Sequence, residues 1–136
     1  MNSNTLSLKR ILRAGCLTLA AFGVSACASI QGSYSPAQVA QSRAALQQVQ
    51  TDYQQGEYGQ VIRRVTIDKA LNEAPQDIRI QALKLQAFSL CLTQYEFLCQ
   101  EKFQQILALK PDFQLQASEQ GHPLWGPVFE RAQESQ

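Results

Sequence analysis

The sequence predicts an all-α domain of about two helical hairpins, a short α-solenoid closed by a C-terminal capping segment. Three observations lead there. Apolar residues recur at helical spacing between Val39 and Leu107. The periodic stretches are separated by short breaks at Gly56, Pro75 and Gln94-Tyr95 and stopped by Pro111, and short connections make neighbouring helices antiparallel. Beyond Pro111 the period is lost, yet Phe113, Leu115, Leu124, Trp125, Val128 and Phe129 form an apolar set too large to leave in water.

Each element has a local reason. Ser35-Pro36-Ala37-Gln38 opens the first helix: Ser35 caps, Pro36 suits the first helical position and Gln38 completes a capping box. Val39, Leu46, Val49 and Tyr53 share one face, and Gly56 is the stop. A second helix is expected over 57–74, with Tyr58, Val61, Ile62 and Val65, then Ile67, Ala70, Leu71 and Ala74 turned inward. Its apolar phase slips at Thr66 to Asp68, which predicts a local irregularity or a wider buried face. Pro75 ends it. A third helix over 77–93 carries two stripes, Ile80-Leu83-Ala87-Leu90 and Ile78-Leu85-Phe88-Leu92, so it is buried between neighbours. A fourth over 96–110 turns Cys99, Phe103, Ile106 and Leu107 inward. The tail stays irregular through Gly121-His122-Pro123-Leu124-Trp125-Gly126-Pro127, and a short helix follows over 128–134. The apolar set of the tail is expected to fold back near Phe103 and Ile106.

Within this frame, Gln55-Gly56-Glu57-Tyr58 and Ala70-Leu71 ahead of Pro75 resemble one tetratricopeptide repeat. Ala87, Cys99, Phe103, Ile106 and Pro111 fall at the small, small, aromatic, core and proline positions of a second. The first repeat is two residues too long between its turn and its proline, and Gln94 stands where the turn glycine of the second belongs. An unrelated helical bundle would share some of these features.

The N-terminal residues carry a different signal. Lys9, Arg10 and Arg13 precede thirteen uncharged residues, 14–26, which end in Val24-Ser25-Ala26 before Cys27. A basic segment, a short apolar segment and small residues make a secretory signal peptide, and the apolar part falls short of the roughly 20 residues of a membrane span. Val24-Ser25-Ala26-Cys27 resembles a lipobox, against a conventional signal peptide with a chance cysteine. The resemblance implies that residues 1–26 are removed, that Cys27 is lipidated, and that Ala28-Ser29, with no Asp second, sort the protein to the outer membrane. Residues 27–35 then form the lipidated N-terminus and a polar tether whose eight residues after Cys27 reach at most about 26 Å, and 36–136 form the domain.

Cleavage leaves 110 of the 136 residues, one small domain. It keeps nine of the twelve basic residues and all eleven acidic ones, a balance without the basic patch of a nucleic-acid binder. The 21 glutamines are scattered through helical stretches, as polar helix surface. With Cys27 lipidated and Cys16 removed, Cys91 and Cys99 remain, symmetric about Tyr95. Residues equidistant from a turn face each other across a hairpin, which allows a disulfide in an oxidising compartment. Two buried free thiols are the alternative. A metal site would need more ligands than these cysteines and the sole histidine, His122, supply.

Paired carboxylates, phosphate-cradling glycine loops and metal-spaced clusters are absent from the sequence, so neither an enzyme, a cofactor nor a small-molecule substrate is expected. His122, before Pro123, is either a hydrogen-bonding loop residue or part of a partner contact. Trp125, held between Pro123 and Pro127, is either a core plug or an exposed anchor for a partner. Arg63-Arg64 reads as a solvated helix face. A groove bearing Gln47, Gln50, Gln81, Lys84 and Phe88 is the candidate site for an extended peptide.

One longer pattern is distinctive: Ala87-Phe88-Ser89-Leu90-Cys91, then Cys99 and Phe103, then Pro111-Asp112-Phe113-Gln114-Leu115, then Glu119 and, two residues on, Gly121-His122-Pro123-Leu124-Trp125-Gly126-Pro127-Val128-Phe129. With the lipobox, it resembles the TssQ family of lipoproteins associated with type VI secretion. The resemblance spans residues 53–131 and is most specific over 121–129. It implies a periplasm-facing, tetratricopeptide-like domain with no known catalysis, acting as a protein–protein interaction adaptor of the secretion apparatus. The other expectation is a general envelope assembly lipoprotein, pilotin-like, that serves another outer-membrane complex.

Overall fold

The computed structural model describes residues 34–135. The expected signal segment 1–26, the expected lipidation site Cys27 and the expected tether up to residue 33 lie outside the described residues. Among those described, all regular structure is helical: two antiparallel helical hairpins and a C-terminal segment that closes them.

Helix α1, Pro36–Gln54, begins with a complete capping box. Ser35 Oγ accepts from Gln38 N at 3.2 Å, and Gln38 Oε1 accepts from Ser35 N at 2.9 Å. Gly56 ends the helix at φ +77°. There Glu57 N donates to Asp52 O at 2.9 Å and Gly56 N to Tyr53 O at 3.1 Å, the paired bonds of a Schellman turn.

The second helix of the first hairpin is not continuous. It divides into α2, Tyr58–Ile67, and α3, Lys69–Asn72. Asp68 takes ψ 111° and its Oδ1 accepts from Ala70 N at 2.9 Å, so one residue stops α2 and caps α3. The phase slip at Thr66 to Asp68 therefore marks a break, which accommodates the two surplus residues of this hairpin. The break also corrects the expected inward stripe: Ile67 is 71% exposed, whereas Leu71 and Ala74 return to the core.

Helix α4, Gln76–Leu92, is central and packs on α1, α2 and α5. Both of its stripes are covered; Leu85 and Leu92 alone among them are partly exposed. Its buried polar residue Gln86 donates through Nε2 to Ile62 O at 3.1 Å and Thr66 Oγ1 at 2.9 Å. This bond pair holds α4 against the end of α2, where the helix breaks and its last carbonyls need partners.

The turn into α5, Glu96–Leu109, repeats the first turn bond for bond. Tyr95 N donates to Leu90 O at 2.9 Å and Gln94 N to Cys91 O at 3.2 Å. Gln94 adopts φ +66°, the left-handed conformation that Gly56 supplies in the first hairpin. Cys91 and Cys99 flank this turn with Cα atoms 5.4 Å apart and are joined in a disulfide. Ala87, Cys99, Phe103 and Ile106 have no exposed surface.

The tail returns across the hairpins and ends in α6, Gly126–Glu134, with Pro127 in its first turn. It closes the core, but not with the expected partners throughout. Phe129 meets Phe103 edge-on at 5.1 Å, whereas Trp125 stacks on Phe88 of α4 at 4.2 Å. The irregular stretch 110–125 thus reaches over the face of α4 before α6 settles on α5.

Candidate functional site

The site lies where α1, α4 and the tail meet. Lys84 lies on α4 between its two apolar stripes, and Gln81, one turn before it, is exposed at the start of the second stripe. The tail contributes Phe113-Gln114-Leu115-Gln116, an alternating segment in which Phe113 and Leu115 turn inward and Gln114 and Gln116 stay exposed. Gln50, Gln81, Lys84, Gln114 and Gln116 rim an open groove of about 430 Å³. Its floor is Ile80, Leu85 and Phe113. A neighbouring hollow shares Ile80, Gln81 and Phe113 and extends it toward Gln76, Asp77 and Lys110.

Glu119 fixes the wall of this groove. Its carboxylate pairs with Lys84 Nζ, both side chains being mostly buried. The same carboxylate accepts from Gln116 N at 3.0 Å, and the backbone carbonyl of Glu119 accepts from Trp125 Nε1 at 2.9 Å. The Lys84 ammonium also lies 5.7 Å from the centre of the Phe88 ring. Its charge is therefore answered within the domain, which leaves the groove rim largely uncharged. Tyr53, whose ring is 5.6 Å from that of Tyr58, has its phenol pKa raised by burial, then by Tyr58 and Glu119.

Of the residues expected at the groove, Gln50, Gln81 and Lys84 come together. Gln47 is exposed on α1 but does not line the groove. Phe88 is 3% exposed and covered by Trp125, so it belongs to the core and not to a contact surface. Trp125 is itself 8% exposed, a plug. His122 lies half-buried on the outer face of the indole, ring centres 3.3 Å apart, and its Nδ1 accepts from Leu124 N at 3.2 Å. Both readings of Trp125 as an anchor and of His122 as a partner contact give way to a stack, Phe88–Trp125–His122, that holds the tail down. Sequence reasoning missed Ile80, Leu85, Phe113, Gln114, Gln116 and Glu119 as parts of the site. The alternation over 113–116 is a visible signal for an extended wall; nothing local links Lys84 to Glu119, 35 residues away.

A second hollow of about 460 Å³, on α2 and α3, is lined by Gln60, Arg63, Arg64, Ile67, Asp68 and Lys69. Arg64 is not the solvated residue that its sequence position suggests: it turns to the buried Asp52, Nε to Oδ2 2.9 Å, and Lys69 pairs with Glu73. Arg64 and Lys69 are thus matched, Arg63 bonds to the neutral Gln60, and an apolar floor is lacking apart from Ile67. The α1–α4 groove is the better candidate.

Compared with known proteins, the chain matches no protein-family model, no curated protein and no solved structure. The site must be read from its own chemistry. Each glutamine carboxamide offers two N–H donors and a carbonyl acceptor, so it can pair with both the C=O and the N–H of an extended polypeptide backbone. Between them, Ile80, Leu85 and Phe113 give an apolar strip for alternate side chains. The arrangement suits recognition of an extended, uncharged segment. Among the described residues no three His, Cys, Asp or Glu side chains group as metal ligands, and no helix is long and apolar enough to cross a membrane.

Proposed function

We propose that this chain is a lipoprotein anchored to the outer membrane through Cys27, facing the periplasm, and that it serves a type VI secretion system as a protein–protein interaction adaptor. The observation that carries the adaptor reading is the α1–α4 groove, with an apolar floor of Ile80, Leu85 and Phe113 between walls rich in glutamine carboxamides. The anchor rests on the lipobox at Val24-Ser25-Ala26-Cys27, and the assignment to type VI secretion rests on the resemblance over residues 53–131. In this reading the helical hairpins hold the groove, the disulfide and the Trp125 plug keep it in shape, and the tether keeps it near the membrane.

Affinity purification from membranes of cells with an active type VI apparatus tests the proposal. The wild-type protein should retain subunits of the secretion baseplate or membrane complex. The Gln81→Arg variant, changed at an exposed groove position, should lose them while remaining folded. Retention of a secretin or of an outer-membrane barrel instead would reject the type VI assignment, and equal retention by the Gln81→Arg variant would reject the groove.

A further inference from the structure

Six large apolar side chains are exposed among the described residues, and Tyr95, Phe97 and Leu98 are three of them, together at the turn between α4 and α5. Phe97 is 80% exposed. Burying these side chains against the domain would need the turn to bend, and the turn is held. The Cys91–Cys99 disulfide ties the two helices directly behind it, and the bonds of Gln94 and Tyr95 back to α4 close it. Glu96, the one charged residue among them, is ion-paired with Arg131 of α6. The tip is therefore an aromatic and aliphatic surface on a rigid mount, with one exposed ion pair, Glu96–Arg131, beside it.

The length of chain between them bounds its distance from the anchor. Tyr34, the first described residue, donates through Oη to Ala74 O at 3.4 Å, beside the start of α4. The 17 residues of α4 then run about 26 Å to the tip. The tether from Cys27 reaches at most about the same distance, 26 Å. A domain held at Cys27 can accordingly lay α4 over and bring its tip to the surface that holds the anchor.

The size of the patch decides between a lipid and a protein occupant. A stable protein interface takes about 800 Å² from each side and 20–30 residues, far more than three side chains on one turn. A bilayer interface asks less: aromatic and aliphatic side chains immersed to about 5–10 Å, the region where aromatic belts lie. We propose that the α4–α5 turn inserts Tyr95, Phe97 and Leu98 into the bilayer interface as a second, non-covalent contact beside the lipid on Cys27. This rests on the lipoprotein reading of Cys27. A Cys27 that carries the three acyl chains of a bacterial lipoprotein, as the lipobox resemblance implies, suffices for attachment, so the tip sets the orientation of the domain and not its membrane affinity.

The test uses the full lipidated protein with a Phe97→Trp substitution, in vesicles of phosphatidylethanolamine and phosphatidylglycerol carrying doxyl-labelled lipid. The indole at position 97 should shift to the blue and be quenched about twofold by interfacial doxyl groups. Trp125, buried in the wild type, reports the background and should change little. Flotation of the same samples separates the two readings. Protein that fails to float with vesicles overturns the anchor at Cys27 and the tip contact with it. Protein that floats while the indole at 97 keeps the emission of a water-exposed, unquenched residue overturns the tip contact alone. Unquenched emission in the Phe97→Trp protein, together with loss of partner capture in a separate Phe97→Asp variant, would overturn the lipid contact and reassign the tip to a protein surface.

Discussion

Removing the Trp125 side chain should strongly destabilise the domain. Trp125 is 8% exposed, stacked between Phe88 at 4.2 Å and His122 at 3.3 Å, and its Nε1–H is spent on Glu119 O. Emptying a buried site of this size costs about 3–5 kcal/mol. The site lies under a half-buried histidine that water can replace, so the lower part of that range, about 3–4 kcal/mol, is expected in the Trp125→Ala variant. That is a large share of the roughly 5–15 kcal/mol that holds a small domain together. Trp125→Phe keeps an aromatic face on Phe88 but leaves the Glu119 carbonyl without its donor, and should cost about 1 kcal/mol for that bond, plus lost packing. Denaturant unfolding of the Cys27→Ser form, followed by circular dichroism, gives the midpoints. A double-mutant cycle with Phe88→Ala should return a coupling of about 0.5–1.5 kcal/mol for the stacked pair. A Trp125→Ala variant that unfolds at the wild-type midpoint with an unchanged slope would refute the reasoning and make the tail a docking surface after all.

Three further outcomes follow from the hairpins. Replacing Cys91 and Cys99 together by serine should cost about 2.5 kcal/mol, the chain-entropy value for a loop of about nine residues; thiol titration under denaturing, non-reducing conditions should find neither cysteine free in the wild type. Gln94→Gly should stabilise the domain, by up to about 1 kcal/mol, because it relieves a left-handed non-glycine residue at the cost of a more flexible unfolded chain; a lower melting temperature would contradict the matching of this turn to that at Gly56. Tyr53 should be the last of the four tyrosines to ionise in a spectrophotometric titration, and Tyr53→Phe should remove that late step. Its raised folded-state pKa means that its contribution to stability is present below the unfolded value near 10 and fades as pH rises through the folded value, so the Tyr53→Phe variant should lose less stability in alkali than the wild type.

The hairpins were legible because their signals are local. Ser35 and Gln38 are three residues apart, and Gly56 needs only its own backbone to stop α1. The two stripes of α4 announced a helix covered on both sides, and that same observation argued against placing Phe88 in an exposed groove. Asp68 was visible only as a loss of phase, because a break is decided by which backbone groups find partners, here Ala70 N on its carboxylate. The tail was the hard part. Its apolar residues promised burial, but a chain without a period does not say which helix it crosses, so Trp125 was expected near Phe103 and lies on Phe88. The groove follows from that crossing: once Glu119 reaches Lys84, Gln114 and Gln116 come to face Gln50 and Gln81.

The central claim, a groove that holds a protein segment of the secretion apparatus, is tested most directly by photo-crosslinking from within it. A benzophenone amino acid in place of Gln81, in the lipidated protein in cells with an active type VI system, should give one discrete adduct that contains a baseplate or membrane-complex subunit. The same group in place of Gln47, exposed on α1 outside the groove, should give none. Adducts from both positions alike, or an adduct at Gln81 that contains a secretin or an outer-membrane barrel, would contradict the account.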